Sequence, residues 1–426
     1  MTNKTEFFRS LYLLPLTFLL LLASCSKDDP QPDGPAPAPE KNRTVLFYMI
    51  DDHNLWDGFE MTLNQLEAGW DEQTDGNLLV YLDPSPKLTQ FPTPVLLKIS
   101  HDETDAIRSE VVKTYPEQDA VDHDVMRGVL EDAIALYPAS SHGLIIGTHG
   151  SAWFPKNTGS LINDPDAGHD DDIAEHTPSP AGSTKSLSGG ERYGTALEVD
   201  DLARLLPVKY DFIMFHACLM GNVEVAWQLR EKCSLMVGCM QPLPGSGYPY
   251  DEIVPYLFTA PQPDFYHVVR SSAEWYDAMP ELTLNFDVSV IRTDRLEALA
   301  AATKTIVDKL AADPQSYFAK LAAEGLYIDD DAPLRDLNEA IGLGCEVRPE
   351  LEADYHAFDK ALQAAVLQHV SVTVEDNPAL ASPDYFCGLS CYVPEWRSNF
   401  APLNEYYKTH YGWAAASGFD KLILNR

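Results

Sequence analysis

Short apolar runs that alternate with amphipathic segments are the feature that most constrains the fold of this chain. The runs have the length and composition of buried strands, and the segments between them repeat apolar residues at helical spacing. This alternation predicts a mostly parallel sheet with helices on both faces, a three-layer α/β/α sandwich. The strand candidates are Arg43–Ile50, Asn77–Leu82, Val95–Ile99, Gly143–Thr148, Phe212–Phe215 and Ser234–Cys239. The helix candidates are Leu55–Trp70, Asp124–Leu136, Leu197–Leu206 and Glu224–Arg230.

The last third of the chain carries a second set of such patterns. We expect residues 43–285 to form the core domain, with 151–195 as a loop insert, and 286–426 to pack on that core as a C-terminal α/β extension. The patterns are a strand over Leu282–Ile291, helices over Asp294–Ala312 and Leu351–His369, a strand over Phe386–Val393, and helices within Tyr406–Leu424.

Residues 151–195 interrupt the alternation with a stretch rich in Gly, Ser, Pro and Asp. An insert of this length inside a domain is usually functional or disordered. The carboxylates of Asp164, Asp166 and Asp170–Asp172 are hard oxygen ligands of the kind that Ca²⁺ prefers. Because they lack a recognisable Ca²⁺-loop spacing, a solvated acidic loop is the favoured interpretation, and the sequence predicts no cofactor.

The excess of acidic side chains argues against some classes of binding partner. The 426 residues include 65 acidic and 30 basic side chains, which gives a formal net charge of −35. A surface this acidic argues against binding to nucleic acid or to an anionic membrane through a basic face. It favours a soluble, self-repelling surface and says little about the fold.

The first 25 residues have the pattern of a lipoprotein signal peptide. Lys4 and Arg9 flank the start of an apolar run, Leu11–Leu22, which is too short for a comfortable membrane span. The run ends in Leu-Ala-Ser-Cys, which resembles a bacterial lipoprotein box, and this resemblance implies cleavage that leaves Cys25 as the lipid-bearing N-terminus. The alternative is an ordinary signal peptide with an incidental cysteine.

Residues 26–42 are expected to form an extended tether. Asp28–Glu40 is rich in proline, which favours an extended chain that no core covers. Ser26–Asp29 resembles the acidic export tags of surface-exposed lipoproteins in Bacteroidetes. The sequence therefore predicts a bacterial outer-membrane lipoprotein that faces the periplasm or the cell surface and is anchored through lipid on Cys25.

Six of the seven cysteines lie beyond this signal. An even number outside the cytoplasm permits disulfides, but a chain of this size does not need them, and no spacing resembles a zinc site. We expect mostly free, buried thiols. The six are Cys218, Cys233, Cys239, Cys345, Cys387 and Cys391.

Two of the apolar strands end in a reactive residue, one in His149-Gly150 and the other in Cys218. The carboxyl ends of parallel strands lie at one edge of the sheet, so the two residues meet if the strands are neighbours. An imidazole activates a thiol as a base or as a cation, and the backbone N–H groups of Gly150 and Cys218 could form an oxyanion hole. The alternatives are a structural histidine and a buried cysteine.

At these residues the chain resembles the clostripain-like cysteine peptidases of the caspase-type α/β fold. The resemblance rests on TVLFYMIDDHNL, YPASSHGLIIGTHGSAW and FHACLMGNVEVAWQLR, with GSGYPYDEI, LRDLNEAIG and GLSCYVP downstream. It runs from Arg43 to the C-terminal segment and implies a polypeptide substrate. It also implies a catalytic dyad in which the Cys218 thiolate attacks the peptide and His149 protonates the leaving amine.

One departure from the family pattern concerns specificity. Family members commonly read Asp-Ala-Cys, with the Asp in the pocket that takes an Arg or Lys before the scissile bond, and here that position is His216. After the next strand, where further acidic residues are common, the chain has Met240 and Gln241. The resemblance thus implies a substrate pocket at His216, Met240 and Gln241. Loss of the carboxylate predicts a less basic, polar or acidic residue at the cleaved bond.

Two other functions remain open at this point. A non-catalytic relative that binds polypeptides would keep the fold with an altered pocket, and a thiol amidase would keep only the dyad. Relatives also mature by cutting themselves after the catalytic histidine. Lys156, Lys185 and Arg192 lie in the corresponding insert, where a flexible loop open to any protease is the alternative.

Overall fold

The computed structural model describes most of the chain beyond the N-terminal segment. Cys25, the carboxylates from Asp164 to Asp172 and the three basic residues of the insert lie outside the described residues. The described residues are 38, 40–50, 55–84, 90–155, 187–189, 194–279, 285–328, 333–373 and 386–423.

The strands and helices of this part of the chain follow the predicted alternation closely up to residue 257. The strands are β1 Lys41–Ile50, β2 Gly76–Asp83, β3 Val95–Lys98, β4 Glu110–Thr114, β5 Ala139–Gly147, β6 Leu187–Ser188, β7 Ala196–Leu197, β8 Tyr210–His216, β9 Cys233–Gly238, β10 Phe286–Arg292, β11 Leu334–Asp336, β12 Val366–Val372 and β13 Ser390–Tyr392. The helices are α1 Trp56–Gly69, α2 His123–Leu136, α3 Val199–Leu205, α4 Val223–Leu229, α5 Tyr250–Leu257, α6 Phe265–Asp277, α7 Leu296–Leu310, α8 Pro314–Glu324, α9 Leu337–Val347, α10 Glu352–Ala365, α11 Ala401–His410 and α12 Gly412–Ser417.

Nine of the described strands form one sheet in the order β12-β10-β9-β8-β5-β1-β2-β3-β4. The five central strands, from β9 to β2, are all parallel. The strands β10 and β3 run antiparallel on either side of them, and β12 and β4 form the outer edges. This is the mostly parallel α/β sheet that the alternation predicts. We call the edge where the five central strands end the carboxyl edge.

Side chains alternate between two cores, one on each face of the sheet. In β1, Phe47 and Met49 point into the core covered by α1, α5 and α6, which we call the α1 face. Tyr48 and Ile50 point into the core on the other side, covered by helices that include α2, α3, α4 and α7, which we call the α2 face. Continuous apolar strands are the pattern of a sheet buried on both faces.

The chain enters the sheet at the edge opposite to the carboxyl edge. The N–H of Ala38 donates to Leu136 O at 2.7 Å, and the N–H of Lys41 donates to Pro138 O at 3.1 Å. From Lys41, β1 runs the full height of the sheet beside β5. The first described residues are therefore attached at the foot of the sheet.

The long helix predicted over Leu351–His369 is wrong in its last turn. The helix ends at Ala365, and Val366–Val372 forms the edge strand β12, antiparallel to β10. The β-branched residues Val366, Val370 and Val372 suit a strand, and pairing with β10 outweighs the helical spacing of the apolar residues. The sequence also missed α6, α8, α9 and the short edge strand β4, whose polar residues are mostly exposed. Of the strand predicted over Phe386–Val393, only Ser390–Tyr392 is a strand, β13.

The region after residue 285 does not form a separate layer. Its strands β10 and β12 complete the central sheet, while β11 and β13 make a small two-stranded sheet over the α2 face. The buried carboxylate of Glu224 joins the two parts, since it accepts from the N–H of Tyr392 at 3.0 Å and the hydroxyl of Tyr407 at 3.2 Å. Burial raises the pKa of Glu224 to about 8.

Candidate active site

Two neighbouring strands deliver His149 and Cys218 to the carboxyl edge. In the parallel register of β5 and β8, Gly147 lies beside His216, so each reactive residue comes two positions after a paired residue. The N–H of Thr148 donates to His216 O at 3.3 Å and continues the ladder one step beyond β5. The predicted placement of His149 and Cys218 on adjacent strand ends agrees with this register.

Gly150 brings the two strand ends into direct contact. A Cβ at this position would lie 2.7 Å from the carbonyl oxygen of Cys218 and 3.0 Å from Cβ of Ala217. No larger residue fits there without a shift of one segment, since real Cβ atoms do not approach so closely. The histidine segment therefore packs backbone to backbone against the cysteine segment.

A short strand at the end of the insert holds the backbone around His149. Ser188 O accepts from the Thr148 hydroxyl at 2.8 Å, and the N–H of Ser188 donates to His149 O at 3.0 Å. Leu187 forms a β-bridge with Gly150. This contact could not be predicted from the sequence, because Leu187–Ser188 is a two-residue strand in a Gly- and Ser-rich stretch with no periodic pattern.

The backbone around Cys218 is held by the loop that follows β9. Leu219 has a φ of +63°, a left-handed conformation that costs a residue with a Cβ roughly 1–3 kcal/mol. Its N–H donates to Gln241 O at 3.2 Å, and the N–H of Gly221 donates to Cys239 O at 2.6 Å. The Sγ of Cys218 lies 3.9 Å from Leu243 O. Residues 239–243 thus run alongside the chain that leaves the thiol.

The six cysteines of the described residues are all free thiols, but their surroundings differ. Burial raises the pKa of Cys233 to about 12 and that of Cys345 to about 11. The pKa of Cys239 is also raised by burial. Cys218 is half-buried and lies at the carboxyl edge. Its position suits a nucleophile, whereas buried thiols with a raised pKa are inert.

His216 is the last residue of β8 and lies on the α1 face, 8% exposed. Its ring stacks on Tyr250 with centroids 5.9 Å apart, and its Nδ1 lies 3.1 Å from the Tyr250 hydroxyl. The rings of Phe47 and Phe59 lie within 6 Å of it. Burial lowers the pKa of His216 to about 4, so the imidazole is neutral at pH 7.

The other two predicted pocket residues follow β9. The side chain of Met240 is fully buried in the core of the α2 face, on the opposite side of the sheet from His216. Gln241 is 8% exposed. The backbone N–H groups of Met240 and Gln241 both donate to the carboxylate of Asp287. Asp287 is a residue at this site that the sequence analysis did not identify.

The described residues contain neither a metal-binding cluster nor a membrane-spanning helix. No group of three or more His, Cys, Asp or Glu side chains within the ranges given above is placed to hold a metal ion. No helix in those ranges is long and apolar enough to cross a membrane.

The chain is similar to known proteins over most of its length. The sequence model described as the clostripain family matches residues 47–343, more than half of the 426 residues. Clostripain from Hathewaya histolytica is 24% identical over 231 residues, which cover 49% of this chain and 41% of clostripain. The matched region thus spans about two-fifths of the length of that relative.

Two solved structures have the same overall arrangement. An inactive zymogen C11 protease from Parabacteroides distasonis is 25% identical, with a TM-score of 0.69 over 89% of this chain and 99% of that one. A secreted C11 cysteine protease from Bacteroides thetaiotaomicron, in complex with an irreversible peptide inhibitor, is 26% identical, with a TM-score of 0.68 and the same coverage. These matches confirm the predicted caspase-type α/β fold.

Proposed function

The chain belongs to the clostripain family of cysteine peptidases, as the resemblance predicted, and we propose that it is an endopeptidase that uses Cys218 and His149. The observation that carries this proposal is the contact between the two strand ends, where Gly150 leaves no room for a side chain beside Cys218 O. The known activity of relatives supports hydrolysis of polypeptides. The assignment to these two residues rests on the geometry of the carboxyl edge.

The proposed reaction has two steps. The Cys218 thiolate attacks the carbonyl carbon of the scissile bond, the C–S bond forms, and the C–N bond breaks as the amine takes a proton from His149. The N–H groups of Gly150 and Cys218 stabilise the negative oxygen in between. Water then hydrolyses the thioester, and the acid product leaves with the thiol restored.

Labelling of the thiol tests this assignment directly. We expect iodoacetamide to modify Cys218 in the folded protein well before the other five thiols of the described residues, because burial raises the pKa of each of those five. The modified protein should lose hydrolysis of a fluorogenic peptide in the same proportion. If hydrolysis continues unchanged after complete modification of Cys218, the proposed nucleophile is wrong.

We further propose that the residue before the cleaved bond is not Arg or Lys. His216 contacts aromatic rings and the Tyr250 hydroxyl, and its imidazole is neutral at pH 7 because burial lowers its pKa to about 4. A neutral group in place of a carboxylate offers no charge to a basic side chain. A polar or acidic side chain at that position is expected instead.

A panel of fluorogenic peptides that vary only in the residue before the scissile bond measures this preference as kcat/KM. We expect higher values for polar or acidic residues than for Arg and Lys. The variant His216→Asp should raise kcat/KM for Arg and Lys peptides about tenfold or more, because it restores an acceptor for the cation, whereas the control His216→Asn should not. Preferential cleavage after Arg or Lys by the natural chain would contradict this proposal.

Anchoring to the outer membrane through lipid on Cys25 is also a proposal, supported by the Leu-Ala-Ser-Cys sequence and the tether that follows it. The protein would then face the periplasm or the cell surface. Metabolic labelling with a fatty-acid analogue should mark the natural chain in the membrane fraction. The variant Cys25→Ala should lose both the label and the membrane association, and an unlabelled natural chain would refute the anchor.

A second candidate function is a lipoprotein that binds polypeptides without efficient cleavage. The observation that favours it is the burial of His216 among aromatic rings at the position of the family's pocket carboxylate. Calorimetric titration of a peptide into the Cys218→Ala variant, together with turnover by the natural chain, separates the two functions. Binding without turnover favours this candidate, and turnover favours the peptidase.

A further inference from the structure

A buried carboxylate supports the loop beside the candidate nucleophile. Asp287 is the second residue of β10 and is 1% exposed. Its Oδ2 accepts from the N–H of Met240 at 2.7 Å, and its Oδ1 accepts from the N–H of Gln241 at 3.0 Å. Within the described part of the chain, no lysine, arginine or histidine forms an ion pair with it. Its hydrogen-bond partners are the two backbone N–H groups.

The location of Asp287 is unfavourable for stability. Burial raises the pKa of its carboxyl to about 6, although both N–H bonds favour the charged form. Transfer of a carboxylate into a protein interior without a countercharge costs free energy that two neutral donors offset only in part. A charge in this environment suggests a role other than stabilisation, because ionisable groups with perturbed pKa values are concentrated at functional sites.

Hydrogen bonds connect the loop after β9, which Asp287 holds, to the segment that follows Cys218. Gln241, whose N–H donates to Asp287, accepts from the N–H of Leu219 through its own carbonyl. One residue before Met240, Cys239 O accepts from the N–H of Gly221. Leu219 is the residue directly after Cys218, and its left-handed φ requires such external support. The path from the carboxylate to the residue after the thiol therefore contains one loop and two hydrogen bonds.

We propose that Asp287 is a positioning residue for Cys218. Its carboxylate fixes the backbone of residues 240 and 241, and these hold Leu219, so that the thiol and the N–H of Cys218 face the substrate in one geometry. Asp287 does not touch substrate in this role, since both of its oxygens are used by backbone donors. The role rests on the proposed peptidase function.

Glu67 is a control for Asp287, because it is another buried carboxylate that holds backbone N–H groups. This carboxylate of α1 is also fully buried. Its Oε1 accepts from two consecutive backbone N–H groups, those of Arg108 at 2.8 Å and Ser109 at 2.6 Å, and from the Ser109 hydroxyl at 2.5 Å. It lies near the end of α1 and before β4, at the foot of the sheet and away from the carboxyl edge. The two carboxylates make the same kind of contact in different places, so only one of them should affect catalysis.

The experiment compares Asp287→Asn with Glu67→Gln in the full chain, with kcat, KM, the rate of Cys218 alkylation and the melting temperature as readouts. Asparagine keeps the size of the side chain and removes one acceptor and the charge. We expect Asp287→Asn to lower kcat about tenfold to a hundredfold with KM within about threefold, because small misplacement of a reacting group has effects of this size. Cys218 should be alkylated more slowly near pH 7, while the melting temperature stays near that of the natural chain.

Glu67→Gln should leave kcat within about twofold and show any effect in the melting temperature alone. The positioning role is overturned if Asp287→Asn keeps the natural kcat, if Glu67→Gln loses kcat equally, or if Asp287→Asn does not fold, which would make Asp287 a structural residue. If the natural chain itself shows no hydrolysis that depends on Cys218, the proposed function fails and the role of Asp287 fails with it. If the natural chain and Asp287→Asn are equally active, the positioning role of Asp287 is refuted and the proposed peptidase function stands.

Discussion

The two halves of the candidate site come from neighbouring strands in one register, but different parts of the chain support them. The cysteine half follows β8 and is held by core elements: the loop after β9, Asp287 of β10, and β13, where the N–H of Ser390 donates to Gly221 O at 2.9 Å. The histidine half follows β5 and is held by the two-residue strand β6, through Ser188.

This difference predicts that the proposed nucleophile, Cys218, and the proposed proton donor, His149, can be lost independently of each other. The contacts around Cys218 reach across several strands of the sheet, so they should persist whenever the domain is folded. Apart from its contacts with the cysteine half, the backbone around His149 is held by Leu187 and Ser188 of the insert, which directly follow residues 156–186, outside the described ranges. Changes in the insert are expected to alter the step that needs His149 without loss of the thiol.

The largest effect should come from removal of the nucleophile. We expect Cys218→Ala to abolish hydrolysis, with a loss of about 10⁴-fold or more in kcat/KM, because the variant lacks the proposed nucleophile of the covalent intermediate. The loss is measured with a fluorogenic peptide, and iodoacetamide labelling is followed by mass spectrometry. Cys345→Ala, which removes a half-buried thiol on α9, is the control and should keep full activity. Equal losses in both variants would refute the assignment.

Removal of the His149 imidazole tests whether the cysteine half keeps its reactivity without the histidine half. We expect His149→Ala to lower kcat about 10²- to 10⁴-fold, because the leaving amine loses its proton donor. Alkylation of Cys218 should slow but still occur, since the thiol keeps its own supports. His142→Ala, near the start of the same strand, is the control and should leave kcat near the natural value. If His149→Ala makes Cys218 as unreactive as the buried thiols, the halves are not separable.

A methyl group at the contact between the halves should have an intermediate effect. A Cβ at Gly150 would lie 2.7 Å from Cys218 O, so Gly150→Ala must push the segments apart, and we expect kcat to fall about tenfold to a hundredfold. Gly128→Ala on α2 adds its Cβ where nothing lies within 4 Å. This control should stabilise the helix by up to about 1 kcal/mol without loss of activity. An unchanged kcat in Gly150→Ala would break the proposed contact.

The smallest effect on activity is expected at Glu224, beyond the cysteine half. Burial raises its pKa to about 8 in the folded protein, well above the ordinary value of a carboxyl, which the unfolded chain keeps. The neutral form therefore contributes stability at low pH, and this stability is lost as the pH rises towards 8.

The variant Glu224→Gln does not titrate, so its free energy of unfolding relative to the natural chain should rise between about pH 5 and pH 9, by several kcal/mol at most. Denaturant melts at four pH values measure this difference. Hydrolysis at pH 6 should stay within about threefold of the natural rate. A constant difference across the pH range would show that the Glu224 carboxyl does not carry the pH dependence.

The sequence predicted the parts of the site that depend on local pattern. The apolar runs that end in His149 and Cys218 are continuous and well bounded, so their strands and their common edge followed from composition and spacing. The residues that hold the Cys218 segment in place could not be predicted in the same way. Asp287 sits in the alternating run LTLNFDVSVI, and its partners are 46 and 47 residues away, a pairing that only the folded sheet creates.

The error at β12 has a similar origin. Residues 366–369 continue the apolar spacing of the preceding helix, and the sequence favoured a helix to His369. These residues instead form a strand because they pair with β10, which lies about 80 residues earlier in the chain. Ser188 was missed because its contact uses backbone atoms, which any residue type carries. Local patterns predict elements, whereas tertiary pairing decides where ambiguous segments belong.

The point where the chain enters the sheet has a practical consequence for handling the protein. Lys41 stands at the foot of β1, and the strand climbs ten residues, about 30 Å, before it reaches the level of Cys218. A bead or sensor chip coupled to Lys41 itself would therefore be attached at the edge of the sheet opposite to the carboxyl edge, away from Cys218.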